Sequence, residues 1–172
     1  MFLEENDSQF LRIQSEFRTS TGVNTDTRTA TVGQLFFALK GENFNGNLYA
    51  ATALQAGCIA AIVDEKDSIS EGDDRYILVP NALHALQSLA RWHRQKWTCP
   101  VIGMTGSNGK TTTKELIKCV LETTHDHVHA TDGNLNNHIG VPLTLLAART
   151  EPDVAIIEMG ANAQEEIALL AR

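Results

Sequence analysis

The stretch Gly103-Met104-Thr105-Gly106-Ser107-Asn108-Gly109-Lys110-Thr111-Thr112 leaves this chain the least freedom. An apolar segment, Val101-Ile102, feeds a loop of small residues, and a helix pattern opens at the lysine. Glycines let the backbone curl so that successive N–H groups converge on one point, which makes a nest for an anion. A helix N-terminus behind the nest adds partial positive charge and free donors. Lys110 then supplies a point charge for β and γ phosphates, and the Thr111 hydroxyl suits Mg²⁺. Gly106, Ser107, Asn108, Gly109, Lys110, Thr111 and Thr112 are therefore the expected phosphate cradle, with Lys110 as its catalytic cation. The strict P-loop pattern has glycine where this chain has Met104, so the match is to the GKT end. The dinucleotide fingerprint GxGxxG fits worse, because the spacing here is GxxGxxG with a lysine following. The competing reading is a Gly-rich turn with an incidental lysine; the strand before it and the helix after it weigh against that.

A second signal lies downstream, where the apolar run Val154-Ala155-Ile156-Ile157 ends in Glu158. Alone, such an acid reads as a surface residue at a strand end. Paired with the loop, it reads as the acid that sits beside the phosphates and helps to hold Mg²⁺. Thr111 and Glu158 are thus the expected metal pair, with ATP and Mg²⁺ as cofactors.

The rest of the chain alternates strand and helix patterns, which implies α/β architecture with mostly parallel sheets. Strands are expected at 34–39, 59–63, 76–79, 101–104, 127–131 and 154–157, and helices at 48–56, 81–96, 110–122, 141–148 and 164–172. The Gly- and Asn-rich segment GENFNGN reads as loop. Residues 1–20 are polar and carry no clear period. Thr98-Cys99-Pro100 reads as a joint, giving one domain over 1–98 and a second over 99–172. His125, His127 and His129 alternate as along one strand face and read as a polar strand edge. Trp92 and Trp97 near the joint read as packing residues. The sequence ends within an amphipathic helix after about three strands of its second sheet, so it reads as the front part of a longer chain.

Composition narrows the classes. A net charge of −7 disfavours nonspecific nucleic-acid binding. No run is long enough for a membrane span, and no basic-then-apolar leader is visible, so a cytoplasmic location is expected. The 3 cysteines contain no CxxC pair and read as small buried thiols.

The stretch TGSNGKTTTKE at Thr105–Glu115 resembles the ATP loop of the Mur ligases and their folylpolyglutamate synthetase relatives. TDGNLNNHIGVPLTLL from Thr131 and IIEMGANAQEEI from Ile156 resemble the D-alanyl-D-alanine-adding branch of that family. TDTRTATVGQLFFALKGENFNGNLYAATALQAG, from Thr25 to Gly57, resembles its UDP-binding domain. The resemblance implies a small N-terminal α/β UDP-binding domain followed by the first half of a P-loop parallel-sheet ATPase domain. It implies UDP-N-acetylmuramoyl-tripeptide and D-alanyl-D-alanine as substrates, and a full-length monomer. Asp26, Thr27 and Arg28 would contact the uridine diphosphate, with Lys40 and Gly41 nearby, and Asn136 or Asn137 would reach nucleotide or metal, Asn137 being the cofactor-side choice. An Asp–Arg surface pair and a polar turn are the bland alternatives. The family usually carries Asp and His where this chain has Asn45 and Asn47, so no ionic role is expected there. The family's further metal ligands would lie beyond Arg172, so these residues alone are expected not to ligate. Two other classes remain open: a P-loop kinase or ATPase with an unrelated front domain, which would not bind a uridine nucleotide, and a module that binds nucleotide without chemistry.

Overall fold

The computed structural model describes residues 7–161 and 165–171. They form two compact units, Met1–Leu89 and Ala90–Arg172.

The first unit opens with helix α1 (Ser8–Thr19), in the region where the sequence offered no clear period. Its cap is explicit: the Asp7 carboxylate accepts the N–H groups of Gln9 (2.8 Å) and Phe10 (3.1 Å), satisfying donors a helix start leaves free. Phe10, Ile13, Gln14 and Phe17 are its buried residues, spaced i, i+3, i+4 and i+7 on one face. Strands β1 (Gly22–Asn24) and β2 (Gln34–Phe37) follow. The expected loop after them holds a small antiparallel hairpin, β3 (Lys40–Gly41) with β4 (Phe44–Asn45). A 3-10 turn leads into α2 (Ala50–Gln55), then come β5 (Ala60–Val63), β6 (Tyr76–Leu78) and α3 (Ala82–Arg94).

The strands β1-β2-β5-β6 pair in that order, all parallel. Leu35 to Phe37 and the whole of β5 are buried, the continuous apolar runs that a sheet covered on both faces requires. Burying one such large side chain contributes about 1.5–3 kcal/mol. Ala82, Ala85, Leu86, Leu89 and Ala90 form the buried stripe of α3. The division between units falls inside this helix, ahead of the joint expected at Thr98–Pro100.

The second unit carries β7 (Val101–Met104), α4 (Lys110–Leu121), β8 (Val128–Ala130), α5 (Gly140–Ala147), β9 (Val154–Glu158) and α6 (Glu166–Leu170). Its parallel sheet has the order β7-β9-β8. Every residue of the central strand β9 is buried. The register pairs Met104 with Glu158, so the acid stands beside the residue that opens the Gly-rich loop. Trp97 packs with Val141, Ala148, Ala155 and Ile157, the packing role expected of it.

The three histidines do not share a strand face, because β8 spans only Val128–Ala130. His125 lies outside the strand, just after the turn at 122–124, while the half-buried His129 bonds the Thr144 carbonyl through Nε2 at 2.7 Å and packs edge-on with Trp97. Of the cysteines only Cys58 is buried; Cys119 is exposed. Among the described residues no helix is long and apolar enough to cross a membrane.

Candidate functional site

The loop between β7 and α4 is shaped by Gly109, whose φ of 75° lies in the left-handed region that a side chain resists. No side chain caps α4, so the loop leaves the helix N-terminus open toward whatever the loop encloses. The ammonium of Lys110 reaches back and donates to the Gly106 carbonyl at 2.6 Å. That bond stations the cation over the loop. Ser107, Asn108, Thr111 and Thr112 are all exposed.

Glu158 is 1% exposed, so its carboxylate needs partners. The Thr111 hydroxyl donates to Oε2 at 3.2 Å, and the Asn136 amide donates to Oε1 at 2.8 Å. The backbone N–H of Glu158 donates to Thr131 Oγ1 at 2.9 Å. Asn136 is itself fixed, since its carbonyl accepts the Gly160 N–H at 2.7 Å. A side chain at Gly160 would crowd it: a Cβ there would sit 3.0 Å from Asn136 Oδ1.

Of the two asparagines named from the sequence, Asn136 is the one that reaches the acid. Asn137 turns the other way, its Oδ1 accepting the N–H groups of Ile139 (3.0 Å) and Gly140 (2.8 Å) at the start of α5. Adjacent residues in a turn point differently, and a sequence pattern does not say which faces inward.

The structure thus brings together Thr111 and Glu158, and adds Asn136. Hydroxyl and carboxylate oxygens are the hard donors that Mg²⁺ takes, and Mg²⁺ is commonly held by one or two carboxylates with phosphate and water completing its shell. Two donors do not exhaust a carboxylate's lone pairs. The residues present fit that ion. Among the described residues no cluster of three or more His, Cys, Asp or Glu side chains is suited to a metal, so an ion here would draw on phosphate and water.

In the first unit, parallel strands bring the loops after β1, β2, β5 and β6 to one edge of the sheet, where open α/β sheets bind ligands. Asp26 and Arg28 follow β1 as a forked ion pair, with Nη2 to Oδ2 at 2.5 Å. The Arg28 guanidinium bonds, then the Arg28 backbone N–H, bring the Asp26 carboxyl down to about 2. The Arg28 side chain is 87% exposed, so the pair holds Asp26 while presenting a cation to solvent. Thr27 sits half-buried between them.

Lys40 is not joined to that pair. Its ammonium bridges Asp64 (3.0 Å) and Glu65 (2.9 Å) at the end of β5, and Gly41 pairs with Phe44 in the hairpin. The Asn47 amide donates to Asp64 Oδ1 at 2.8 Å and to Asn45 Oδ1 at 2.9 Å, and its oxygen accepts the Asp64 N–H at 3.0 Å. Asn45 donates to Glu65 at 2.9 Å. Sequence reasoning missed this network; the only hint was an acid pair directly after a buried strand. Asn45 and Asn47 thus serve as neutral braces for two acids.

Comparison with known proteins gives this chain relatives. Residues 19–94 match the family described as "Mur ligase family, catalytic domain", and residues 104–172 match "Mur ligase middle domain". The UDP-N-acetylmuramoyl-tripeptide–D-alanyl-D-alanine ligase of Bacillus subtilis is 48% identical over 151 residues, covering 88% of this chain and 33% of that protein. The ligase of the same name from Escherichia coli is 43% identical over 150 residues, 87% of this chain and 32% of that one. Among solved structures, MurF from Acinetobacter baumannii superposes with a TM-score of 0.80 at 34% identity, covering 99% of this chain and 39% of that chain. The MurF ligase from Thermotoga maritima in complex with ADP gives 0.78 at 32% identity, covering 90% of this chain and 35% of that one. The chain spans about a third of the length of the curated relatives it matches.

Proposed function

We propose that this chain, which belongs to the Mur ligase family, carries the UDP-recognising and phosphate-binding parts of an ATP-dependent ligase that joins D-alanyl-D-alanine to a UDP-N-acetylmuramoyl-tripeptide. The observation that carries the reading is the buried Glu158 held by Thr111 and Asn136 directly beside the Gly106–Lys110 loop.

Carboxylate and amine do not condense in water without an activated leaving group. In the proposed reaction the tripeptide's terminal carboxylate takes the γ-phosphoryl of ATP, giving an acyl phosphate and ADP. The amine lone pair of the dipeptide then forms the C–N bond, the C–O bond to phosphate breaks, and the amine loses its proton. Phosphoryl transfer is catalysed mainly by positioning and charge neutralisation. Loop amides and Lys110 would hold and neutralise the phosphates, while Thr111 and Glu158 would hold Mg²⁺. When bound, Mg²⁺ offsets charge on the phosphate oxygens. Asp26, Thr27 and Arg28 offer a hydroxyl and an exposed guanidinium for the uridine diphosphate. Lys40 enters that task only if phosphate competes with Asp64 and Glu65, so its part is to order the edge.

Calorimetric titration of the 172-residue chain with ADP and Mg²⁺ tests the reading. Lys110→Ala should weaken ADP binding about 10–100-fold, the worth of one charge-assisted contact, with an unchanged circular dichroism spectrum. Equal binding by parent and variant would remove Lys110 from the phosphate site.

A further inference from the structure

We propose that Lys114 is a positioning residue for Glu158: its buried ammonium pins Thr131, and Thr131 fixes the backbone that carries the carboxylate. The inference rests on the reading of Thr111 and Glu158 as the metal side of a phosphate site.

A lysine is an expensive way to fill a buried slot, since the desolvation penalty of a charge is several kcal/mol even after relaxation. A methionine would fill similar volume without it. Yet Lys114 is 1% exposed and is the buried residue of α4. Its ammonium donates to the Thr131 carbonyl and pairs with the Glu115 carboxylate at 3.0 Å.

Thr131 is 2% exposed and has each of its polar groups engaged. Its N–H donates to the Ile156 carbonyl at 3.0 Å, its Oγ1 accepts the Glu158 N–H at 2.9 Å, and its carbonyl accepts from Lys114. Lys114 and Thr111 are three residues apart, and so share one face of α4.

The contacts close a ring. From α4, Thr111 grips the Glu158 carboxylate, Glu158 bonds Thr131, and Lys114 returns the chain of contacts to α4. Glu158 is thereby held at both ends, side chain and backbone, by the same helix that starts at the phosphate loop. Thr131 also begins the turn that carries Asn136, the other donor to the carboxylate. Outer contacts of this kind orient metal ligands, and losing one typically costs 10–100-fold in metal affinity.

The test uses Lys114→Met, which keeps length and removes the donors, and Thr131→Val, which removes Oγ1 and keeps the carbonyl. Two readouts are taken on the 172-residue chain: exchange of the Glu158 amide proton by NMR, and ADP affinity with and without Mg²⁺. Both variants should expose the Glu158 amide to faster exchange. ADP binding without Mg²⁺ should stay within about twofold of the parent, while the gain from Mg²⁺ shrinks by roughly tenfold or more. The double variant should be no worse than the weaker single one, because both act through one chain of contacts. A folded Lys114→Met with parental amide exchange and the full Mg²⁺ gain overturns the proposal. Should Lys114→Met fail to fold, parental exchange and Mg²⁺ gain in Thr131→Val overturn it instead. A parent chain that gains nothing from Mg²⁺ refutes the phosphate-and-metal reading, and the amide exchange then still decides whether Lys114 positions Glu158.

Discussion

Asn47→Ala isolates the brace at the carboxyl edge of the first sheet. The parent side chain is 2% exposed and makes three hydrogen bonds, two of them with Asp64. Its bond to the ionised Asp64 carboxylate is worth about 1.5–3 kcal/mol and that to Asn45 about 0.5–1.5 kcal/mol. Losing both should cost about 2–4.5 kcal/mol, before any penalty for the Asp64 N–H left without the Asn47 oxygen. For a unit of this size that lowers the melting temperature by roughly 10–25 °C.

The cost should depend on pH. Burial alone would push the Asp64 carboxyl up, but the Asn47 amide, the Ala82 N–H and Lys40 together hold it below its ordinary range. A carboxyl depressed in the folded state stabilises the fold above the unfolded pKa, near 3.9, and that stability is lost as pH falls through the folded value. The gap between parent and variant should therefore be full at pH 7 and narrow below about pH 4. Trp92 and Trp97 lie beyond Leu89, so far-ultraviolet circular dichroism is the probe, with melts repeated from pH 7 to 3. Melting within about 2 °C of the parent at pH 7, or a gap that does not narrow in acid, would refute the reasoning.

Glu158→Gln should leave ADP binding without Mg²⁺ near the parental value and abolish most of the gain from Mg²⁺; matching metal titration curves would take Glu158 out of the metal's reach. Asp7→Ala removes the cap of α1 and should cost about 1 kcal/mol, read as a lower denaturant midpoint; an unchanged midpoint would mean that α1 is held by its buried face alone. Titration with UDP should move the NMR signals of Asp26, Thr27 and Arg28, with smaller shifts at Lys40 and Gly41. If these stay still while other residues respond, the uridine diphosphate site lies elsewhere.

The strand–loop–helix from Val101 to Leu121 was legible because local chemistry dictates it: an apolar strand, glycines and a lysine opening a helix require no distant partner to be recognised. Glu158 was legible for a similar reason, as the first charge after a buried run. What the sequence hid depends on which way neighbouring residues face. Asn136 and Asn137 are chemically identical, and only the turn decides that one meets Glu158 and the other caps α5. Lys114 reads as one more solvated residue in a polar helix start, and only the docking of α4 on β8 and β9 makes it buried. Helix α1 was recoverable in principle, from Asp7 as a cap and Phe10, Ile13 and Phe17 at helical spacing, but the polar residues between them dilute the period. The hairpin at Lys40–Asn45 has strands of two residues each, too short for alternation to register.

The two charges at the Gly-rich loop are held in opposite ways, and the contrast follows from their proposed tasks. Among the described residues the Lys110 ammonium bonds a carbonyl of its own loop, which an incoming phosphate can replace at little cost because a charged acceptor outbids a neutral one. Glu158 is buried and tied through side chain and backbone to Thr111, Asn136 and Thr131. A carboxylate that must present oxygens to a small ion demanding near-ideal geometry gains from being fixed beforehand. A lysine that must follow a phosphate group gains from remaining adjustable. Rigidifying Lys110 or loosening Glu158 should therefore both weaken nucleotide binding, the first with or without Mg²⁺ and the second only with it.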